Sequence, residues 1–349
     1  MQLLSGKANT FDYSPSSSRP KSLLVSNLPD ILDSVWGAEQ RARLGNMVDL
    51  CEEVWDGNSK CPPSGLHETE LIFSTWGMPS LGRQELDLLP KLRAVFYAAG
   101  TVKEFVDPFI ERGIPVFSAW AANAVPVAEF TLSQILFALK QGWMHHRHLR
   151  ENPSPEGWRH FPITGVYGAR VGVISLGMIG SKVCEFLEPF ELRRLAYDPC
   201  VSAESMRARN LIPVTLEELF ATSDVVTVHA PWLKETEGLI TGKLLRSMKW
   251  GSTFINTSRG ALVREEEMIE VLSERPDLTA VLDVTREEPP KAGSPLYTLP
   301  NVVMTPHIAG SKGAEVHRLA DWMLDECEAW LSGLPVRYEV TKEKLPLLA

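Results

Sequence analysis

Short apolar runs alternate with helix-length amphipathic stretches along most of this sequence. A first series of expected strands comprises residues 22–26, 70–76, 93–100 and 114–120. A second series comprises residues 170–177, 192–198, 223–230, 252–258, 278–284 and 301–307. Strands separated by helices pair in parallel, since each helix carries the chain back across the sheet. The sequence therefore predicts an α/β protein with two Rossmann-like, doubly wound parallel-sheet domains.

Two helical segments outside these series set the expected domain boundaries. The stretch "AVPVAEFTLSQILFALKQ" predicts a long helix that starts near Pro126, because proline suits a first helical turn. The polar segment 144–169 is rich in Pro and Gly and is expected to be irregular. The amphipathic segment 313–333 follows the completed second sheet, so we expect it to return to the first domain. The expected domains are a discontinuous, flavodoxin-like first domain of residues 1–122 and 314–349, and a second domain of residues 123–313.

The composition argues against several classes of function. The 349 residues include 44 acidic and 35 basic side chains, and a formal net charge of −9 disfavours nucleic acid or an anionic membrane as the main partner. The Ser/Pro-rich arm of about 20 residues at the start lacks the apolar core of a signal peptide, and no apolar run is long enough to span a bilayer. The five cysteines are scattered without a C-x-x-C pair, and the cluster "HHRH" has no nearby Cys or acidic ligands. We therefore expect a cytoplasmic protein with neither a disulfide framework nor a metal site.

The stretch "VGVISLGMIG" at residues 171–180 departs by one residue from the dinucleotide-binding pattern G-x-G-x-x-G. Ser175 takes the first position, and Gly177 and Gly180 take the second and third, with Met178 and Ile179 between them. The two glycines let the backbone approach a pyrophosphate and let the helix pack tightly on the sheet. A serine is tolerable at the first position where its φ angle is negative, so the turn is a weak signal by itself.

Asp198 strengthens the dinucleotide interpretation, because it ends the next expected strand 18 residues after Gly180. An acidic side chain there accepts hydrogen bonds from the adenosine ribose and repels a 2′-phosphate, and no arginine follows in "DPCVSAES". Taken alone, this aspartate reads equally well as a helix or turn cap. With the strand, turn and helix before it, NAD is favoured over NADP as the cofactor.

Four ordered segments resemble signatures of the D-isomer-specific 2-hydroxyacid dehydrogenase family: "HAPWLKETEGLI" (229–240), "FINTSRGALVREEEMIEVL" (254–272), "LDVTREEPP" (282–290) and "TPHIAG" (305–310). The resemblance spans roughly residues 90–330. It implies that the second domain binds NAD and builds a homodimer, and that the first domain binds substrate. It also implies that three residues do the chemistry, namely Arg259 in "NTSRG", Glu288 in "TREEPP" and His307 in "TPH".

Elementary chemistry agrees with these three assignments. The planar guanidinium of Arg259 fits a substrate carboxylate with two parallel hydrogen bonds. His307 can give or take a proton near neutral pH, and a carboxylate such as Glu288 beside it favours the imidazolium and fixes the ring. Each residue also has an ordinary interpretation, as a surface charge, a solvated turn or a strand cap. All three follow successive strands, where ligands bind in such sheets, and this coincidence favours the catalytic interpretation.

The resemblance also implies roles for other residues of the second domain. Asp283 matches a position that helps to orient the nicotinamide, although an aspartate at a strand end often only caps the next turn. His229 and Pro231 match a segment that walls the adenosine side of the cofactor, and a polar strand exit is nearly as good an interpretation. Thr257, in the same motif as Arg259, completes the expected cofactor-binding set.

In the first domain, Gly100, Thr101 and Val102 match a loop whose backbone N–H groups hold the substrate carboxylate. The loop departs from the family's usual G-V-G pattern, but the backbone donors survive that change. Trp76, at the end of an earlier strand, is expected to line the substrate site, although aromatic residues at such positions are more often part of the core.

Two functions from different classes remain open on the sequence alone. The first is an NAD-dependent dehydrogenase that interconverts a small D-2-hydroxy acid and its 2-keto acid. The alternative is a dinucleotide-responsive binding or corepressor-like module on the same fold. The intact set of Arg259, Glu288 and His307 favours the enzyme, because a pure sensor would not need all three.

Overall fold

The computed structural model describes residues 19–58, 60–159 and 161–345. Most of the expected N-terminal arm, residues 1–18, lies outside the described residues. The chain divides into two compact units. Unit 1 contains the chain up to Ala119 together with Val316–Lys342, and unit 2 contains Trp120–Glu315 and the chain from Glu343 onward.

The strands and helices of the described residues follow one another in the order β1 (Lys21–Val25), α1 (Pro29–Val35), α2 (Ala38–Met47), β2 (Asp49–Trp55), β3 (Leu71–Ser74), α3 (Arg83–Asp87), β4 (Ala94–Tyr97), α4 (Asp107–Glu111), β5 (Val116–Ser118), α5 (Trp120–Leu139), α6 (Gly142–Glu151), β6 (Arg170–Ile174), α7 (Met178–Phe186), β7 (Arg193–Tyr197), α8 (Ala203–Ala208), β8 (Ile212–Pro213), α9 (Leu216–Thr222), β9 (Val225–Val228), α10 (Gly242–Arg246), β10 (Thr253–Asn256), α11 (Glu265–Glu274), β11 (Thr279–Leu282), β12 (Val302–Met304) and α12 (Val316–Leu331).

The sheet of unit 1 has the strand order β2-β1-β3-β4-β5, and all its neighbouring strands are parallel. This is the flavodoxin-like order expected for the first domain. Phe73, Phe96 and Phe117 stack across three adjacent strands, with ring centroids 5.2 and 4.9 Å apart. Their burial fixes the core of the unit between the sheet and its helices.

The last helix returns to unit 1, so the first unit is discontinuous, as expected. After α12, the chain pairs antiparallel with β5: Ser118 N donates to Tyr338 O (3.1 Å) and Val340 N donates to Val116 O (2.8 Å). The buried carboxylate of Glu326 accepts hydrogen bonds from the backbone N–H groups of Arg337 (2.6 Å) and Tyr338 (2.7 Å). This carboxylate therefore fastens the C-terminal segment to α12.

The sheet of unit 2 has the order β12-β11-β10-β9-β6-β7-β8, again with parallel neighbours. The order reverses between β6 and β9, which makes this a Rossmann-type doubly wound sheet with its switch point beside β6. Apolar clusters cover both faces of the sheet. The expected class, two parallel-sheet α/β domains with Rossmann-like topology, is confirmed.

Several local expectations are wrong. The long helix begins at Trp120 rather than near Pro126, which lies inside it. The start of the segment expected to be irregular forms α6. Strands β2 and β8 had no counterpart among the expected strands, because β2 is an acidic, largely exposed edge strand and β8 has only two residues. Helix α5 is long and apolar enough to cross a membrane, but half of its most apolar window is buried in the unit, as in the core helix of a folded domain.

Replacing Glu326 by alanine should lower the free energy of unfolding by about 2–4 kcal/mol, because two backbone N–H groups lose a buried, charged acceptor. Urea denaturation followed by tryptophan fluorescence measures the change. Glu326→Gln is the matched control, since its amide oxygen still accepts, and it should cost about half as much. If Glu326→Ala is as stable as the wild type, the carboxylate does not hold the segment.

Candidate active site

The turn between β6 and α7 lies at the switch point of the unit 2 sheet. Asp198, which directly follows β7, accepts a hydrogen bond from Leu176 N in this turn (2.7 Å, Oδ2) and another from Cys200 N (2.8 Å, Oδ1). The structure therefore brings the acidic side chain and the glycine turn together. Each carboxylate oxygen keeps lone pairs for a further donor.

Ser175 adopts a φ angle of 71°, in the left-handed region. The condition under which a serine was expected to be tolerable, a negative φ, is therefore not met. The backbone takes the conformation that a glycine would take, and the serine bears its cost. Sequence alone did not reveal this, because the angle follows from how the turn joins β6 to α7.

The two glycines of the turn serve different purposes. A Cβ on Gly180 would lie 2.0 Å from the carbonyl oxygen of Ser175, so only glycine lets α7 approach the turn this closely. A Cβ on Gly177 would meet nothing within 4 Å, so the space in front of the helix is open. The N–H groups of Met178 and Ile179, in the first turn of α7, have no partner within the helix. They lie at the positive end of the helix dipole. These features fit the pyrophosphate of a dinucleotide.

Arg259 follows β10 in a loop whose backbone is held on both sides. Asn256 Nδ2 donates to Arg259 O (3.0 Å), and Ser258 Oγ donates to Ala230 O (2.6 Å). Burial lowers the pKa of the Arg259 guanidinium, and the nearby negative charge of Glu288 opposes that shift. The structure therefore places a largely buried cation beside Glu288.

Two further contacts fix this loop. A Cβ on Gly260 would lie 2.0 Å from the backbone of Thr285, so the Arg259 loop presses against the chain that leads to Glu288. The hydroxyls of Thr257 and Thr131 are 3.0 Å apart, and both side chains are buried. This hydrogen bond ties the loop to α5, a connection for which the sequence offered no signal.

His307 and Glu288 form a direct pair, with 2.7 Å between His307 Nδ1 and Glu288 Oε2. The two side chains are about half and two-fifths exposed, so the pair faces open space. His307 has a φ angle of 52°, a conformation that non-glycine residues rarely adopt and that clusters at functional sites. The structure thus brings together the three residues that the sequence motifs singled out.

Asp283 lies buried beneath this pair. Its Oδ1 accepts from Ile308 N (2.8 Å) and from the hydroxyl of Thr305, and its Oδ2 accepts from Ala309 N (2.8 Å). Both oxygens are therefore engaged by the loop that carries His307. This matches the capping interpretation of the residue more directly than the nicotinamide interpretation.

His229 is buried at the end of β9, and its Nε2 lies 3.0 Å from Thr227 Oγ1. Its Nδ1 has no hydrogen-bond partner among the described residues. Burial lowers the pKa of His229 to about 3, so the ring is neutral at physiological pH. Pro231, two residues on, presents its carbonyl oxygen to the Thr236 hydroxyl (2.6 Å).

In unit 1, the loop after β4 exposes backbone donors. Thr75 Oγ1 donates to Ala98 O (2.8 Å), and Ser118 Oγ donates to Ala99 O (2.9 Å) and Gly100 O (2.6 Å). The carbonyl oxygens of the loop thus accept hydrogen bonds from hydroxyl groups of neighbouring strand ends.

The N–H groups of Gly100, Thr101 and Val102 donate to no acceptor within the described part of the chain. Trp76 is half-buried at the end of β3. The supporting hydroxyls of Thr75 and Ser118 were missed by the sequence analysis, since each looks like an ordinary strand-end residue.

Within residues 19–58, 60–159 and 161–345, no group of three His, Cys, Asp or Glu side chains is arranged to hold a metal ion. Two histidines of the "HHRH" cluster instead contact Phe161, with ring centroids 5.5 Å away for His145 and 4.8 Å away for His148.

Residues 132–309 match the family model described as D-isomer specific 2-hydroxyacid dehydrogenase, NAD binding domain. A hydroxypyruvate reductase from Blautia hydrogenotrophica is 30% identical, over 78% of this chain and 85% of that protein. A glyoxylate reductase from Korarchaeum cryptofilum is 31% identical, over 84% of this chain and 92% of that protein. A D-3-phosphoglycerate dehydrogenase from Archaeoglobus fulgidus is 35% identical over 66% of this chain, which spans only 43% of the length of that relative.

Solved structures share the fold at lower identity. A phosphoglycerate oxidoreductase from Rhizobium etli has a TM-score of 0.74 at 22% identity, covering 94% of this chain and 100% of that one. The apo D-mandelate dehydrogenase of Rhodotorula graminis has a TM-score of 0.73 at 23% identity, covering 93% and 98%.

Replacing Ser175 by glycine should stabilise the protein by about 1 kcal/mol, because glycine adopts a φ of 71° without the steric cost of a Cβ. NADH affinity should change little, since Gly177 and Gly180 already allow the close approach. Urea denaturation and a fluorescence titration with NADH measure the two effects.

Gly180→Ala is the contrasting variant, because its Cβ would overlap the Ser175 carbonyl oxygen, and it should lose both stability and NADH affinity. A large gain in NADH affinity for Ser175→Gly would contradict this account, because it would mean that the serine distorts the phosphate turn.

Proposed function

This chain belongs to the D-isomer specific 2-hydroxyacid dehydrogenase family, whose members are oxidoreductases with an NAD-type cofactor, and we propose that it interconverts a small D-2-hydroxy acid and its 2-keto acid. The observation that carries the proposal is the 2.7 Å pair of His307 and Glu288, with the partly buried cation of Arg259 near Glu288. A proton donor, its carboxylate partner and a carboxylate-binding cation are the groups that the reduction of a 2-keto acid requires.

The hydrogen bond between His307 and Glu288 divides the work of the imidazole. Because Glu288 accepts at Nδ1, that nitrogen carries a proton, and Nε2 is left to face the substrate. In the direction of reduction, Nε2–H gives its proton to the carbonyl oxygen as that oxygen gains negative charge. In the reverse direction, Nε2 takes the proton from the hydroxyl group.

Arg259 binds the carboxylate of the substrate with the two parallel N–H donors of its guanidinium, and so fixes the orientation of the carbonyl carbon. In unit 1, we propose that Gly100, Thr101 and Val102 belong to a loop whose backbone binds substrate and that Trp76 lines the substrate site. In this proposal residues 1–122 and 314–349, which include unit 1, form the substrate domain, and residues 123–313 form the NAD-binding domain.

NADH, when bound, supplies the hydride to the carbonyl carbon. The turn from Ser175 to Gly180 would hold its pyrophosphate, and Asp198 would accept hydrogen bonds from its ribose. The residues proposed to line the remaining length of the cofactor are His229, Pro231, Thr257 and Asp283.

We further propose a cytoplasmic homodimer built on unit 2. Support for the dimer comes from large apolar side chains that unit 2 exposes on and after α5, among them Phe137 at 43%, Trp158 at 73% and Tyr167 at 82% exposure. Exposed apolar side chains of this size are typical of interfaces between subunits.

His307→Ala should lower kcat for the reduction of a good 2-keto acid by about 10²- to 10⁴-fold, because the proton donor is lost. NADH affinity should remain close to that of the wild type, since the phosphate turn is untouched. Stopped-flow NADH oxidation and an NADH fluorescence titration separate the two quantities.

His67→Ala is the control, because the His67 side chain is largely exposed in unit 1, outside the proposed site. It should leave both turnover and binding unchanged. If His307→Ala turns over at the wild-type rate, the dehydrogenase mechanism is wrong, and a dinucleotide-responsive binding module becomes the better interpretation.

Asp198→Ala should weaken NADH far more than NADPH, because the change removes ribose hydrogen bonds and also removes the repulsion of a 2′-phosphate. The loss for NADH should be on the order of 2–4 kcal/mol, since two charge-assisted hydrogen bonds disappear. Fluorescence titrations with both cofactors measure the ratio of dissociation constants.

Asp198→Asn is the matched variant, because its amide oxygen can still accept from Leu176 N while the charge is gone. This variant should also favour NADPH over NADH more than the wild type does, but it should lose less NADH affinity than Asp198→Ala. A wild-type protein that already prefers NADPH would overturn the assignment of Asp198.

A further inference from the structure

An apolar surface lies at the carboxyl edge of the unit 1 sheet. We call it the apolar shelf and define it by Leu28, which follows β1, and by Trp76 and Met78, which follow β3. Leu28 is 44% exposed, and Trp76 and Met78 are half-buried. Large apolar side chains left open at the ends of parallel strands mark the edge where ligands bind in such sheets.

The two loops that carry the shelf are in contact. Asn27 N donates to Gly77 O (2.8 Å), and a Cβ on Gly77, whose φ is 91°, would lie 2.8 Å from Leu28 Cβ. The loop after β1 therefore packs directly on the loop after β3.

The shelf also adjoins the loop with open N–H groups. In the sheet, β3 lies between β1 and β4, and Thr75 joins the end of β3 to Ala98 O in the loop after β4. Gly100 and Thr101, which are partly exposed, thus have unpaired backbone donors in the loop beside this surface, all within unit 1.

The edge carries no charge to bind an acidic substituent. Residues 26–28, 75–78 and 98–102 contain no Asp, Glu, Lys, Arg or His. Two of the hydroxyls there are already in use: Ser26 Oγ accepts from Leu28 N (3.0 Å), and Thr75 Oγ1 donates to Ala98 O. The next cation along the loop, Lys103, is engaged in another interaction.

We infer that the substrate carries an uncharged, apolar side chain on its 2-keto acid group, of the branched-chain or aromatic kind. The inference rests on the proposed function, since it assumes that the N–H groups of Gly100 and Thr101 bind the carboxylate. With the carboxylate held there, the rest of the molecule lies against Leu28, Trp76 and Met78. A phosphorylated substituent would be desolvated on this surface without a cation, which disfavours it.

A panel of 2-keto acids with NADH tests the inference on the full-length protein. We expect kcat/KM for 4-methyl-2-oxopentanoate or phenylpyruvate to exceed that for glyoxylate, hydroxypyruvate and 3-phosphohydroxypyruvate. We expect kcat/KM to differ by about 10-fold or more, because a single methylene group in an apolar pocket already changes discrimination between substrates by about 10- to 200-fold. If glyoxylate, hydroxypyruvate or 3-phosphohydroxypyruvate is the best substrate, the inference is overturned while the proposed function stands. If no 2-keto acid is reduced, the proposed function fails and the inference fails with it.

Charge-introducing variants then test the surface itself. Leu28→Arg and Met78→Arg should each lower kcat/KM for 4-methyl-2-oxopentanoate by about 10-fold or more. Each should also raise kcat/KM for 3-phosphohydroxypyruvate relative to kcat/KM for 4-methyl-2-oxopentanoate.

Val54→Arg is the matched control, because Val54 is 38% exposed on the edge strand β2, and it should change neither value. NADH affinity of all three variants serves as the readout for intact unit 2. If both shelf variants keep the wild-type preference, the shelf does not contact the substrate side chain, and the inference is wrong.

Discussion

The buried carboxylate of Asp283 is the interaction on which the candidate site depends. Its two oxygens accept hydrogen bonds from Thr305, Ile308 and Ala309, and its own carbonyl oxygen accepts from His307 N (3.0 Å). A left-handed residue such as His307 costs about 1–2 kcal/mol, and these bonds offset that cost. Because Glu288 follows Asp283 by five residues, both members of the histidine–carboxylate pair are positioned from the exit of β11.

The sequence predicted the parallel sheets well, because buried parallel strands are apolar along their whole length. It located the start of most strands within two residues, but it extended them too far. The expected strand 93–100 ends at Tyr97, because the carbonyl oxygens of Ala98 and Ala99 accept from the hydroxyls of Thr75 and Ser118 rather than from a neighbouring strand. Strand β2 escaped notice because "DLCEEVW" lies at an edge, where one side needs no apolar residues.

The sequence predicted where the strands lie better than it predicted backbone angles and long-range hydrogen bonds. Nothing in "VISLGMIG" shows that Ser175 takes a positive φ, since that angle results from packing between β6 and α7. The start of α5 was misjudged for a related reason: Pro126 lies in the second turn, and burial of the helix offsets the hydrogen bond that the proline removes. The bond between Thr131 and Thr257 joins residues 126 positions apart, which no local pattern reveals.

The two units also differ in the kind of information they carry. Residues 132–309, which match the family model, include Arg259, Glu288 and His307. The backbone donors of the loop after β4 and the apolar shelf lie in unit 1, in loops outside the matched region. Motifs in unit 2 therefore identify the family, whereas the substrate preference that we infer rests on side chains such as Leu28 and Met78, which no such motif describes. Such a division of roles leads one to expect relatives that are named for different substrates. The hydroxypyruvate reductase and the glyoxylate reductase are two such relatives.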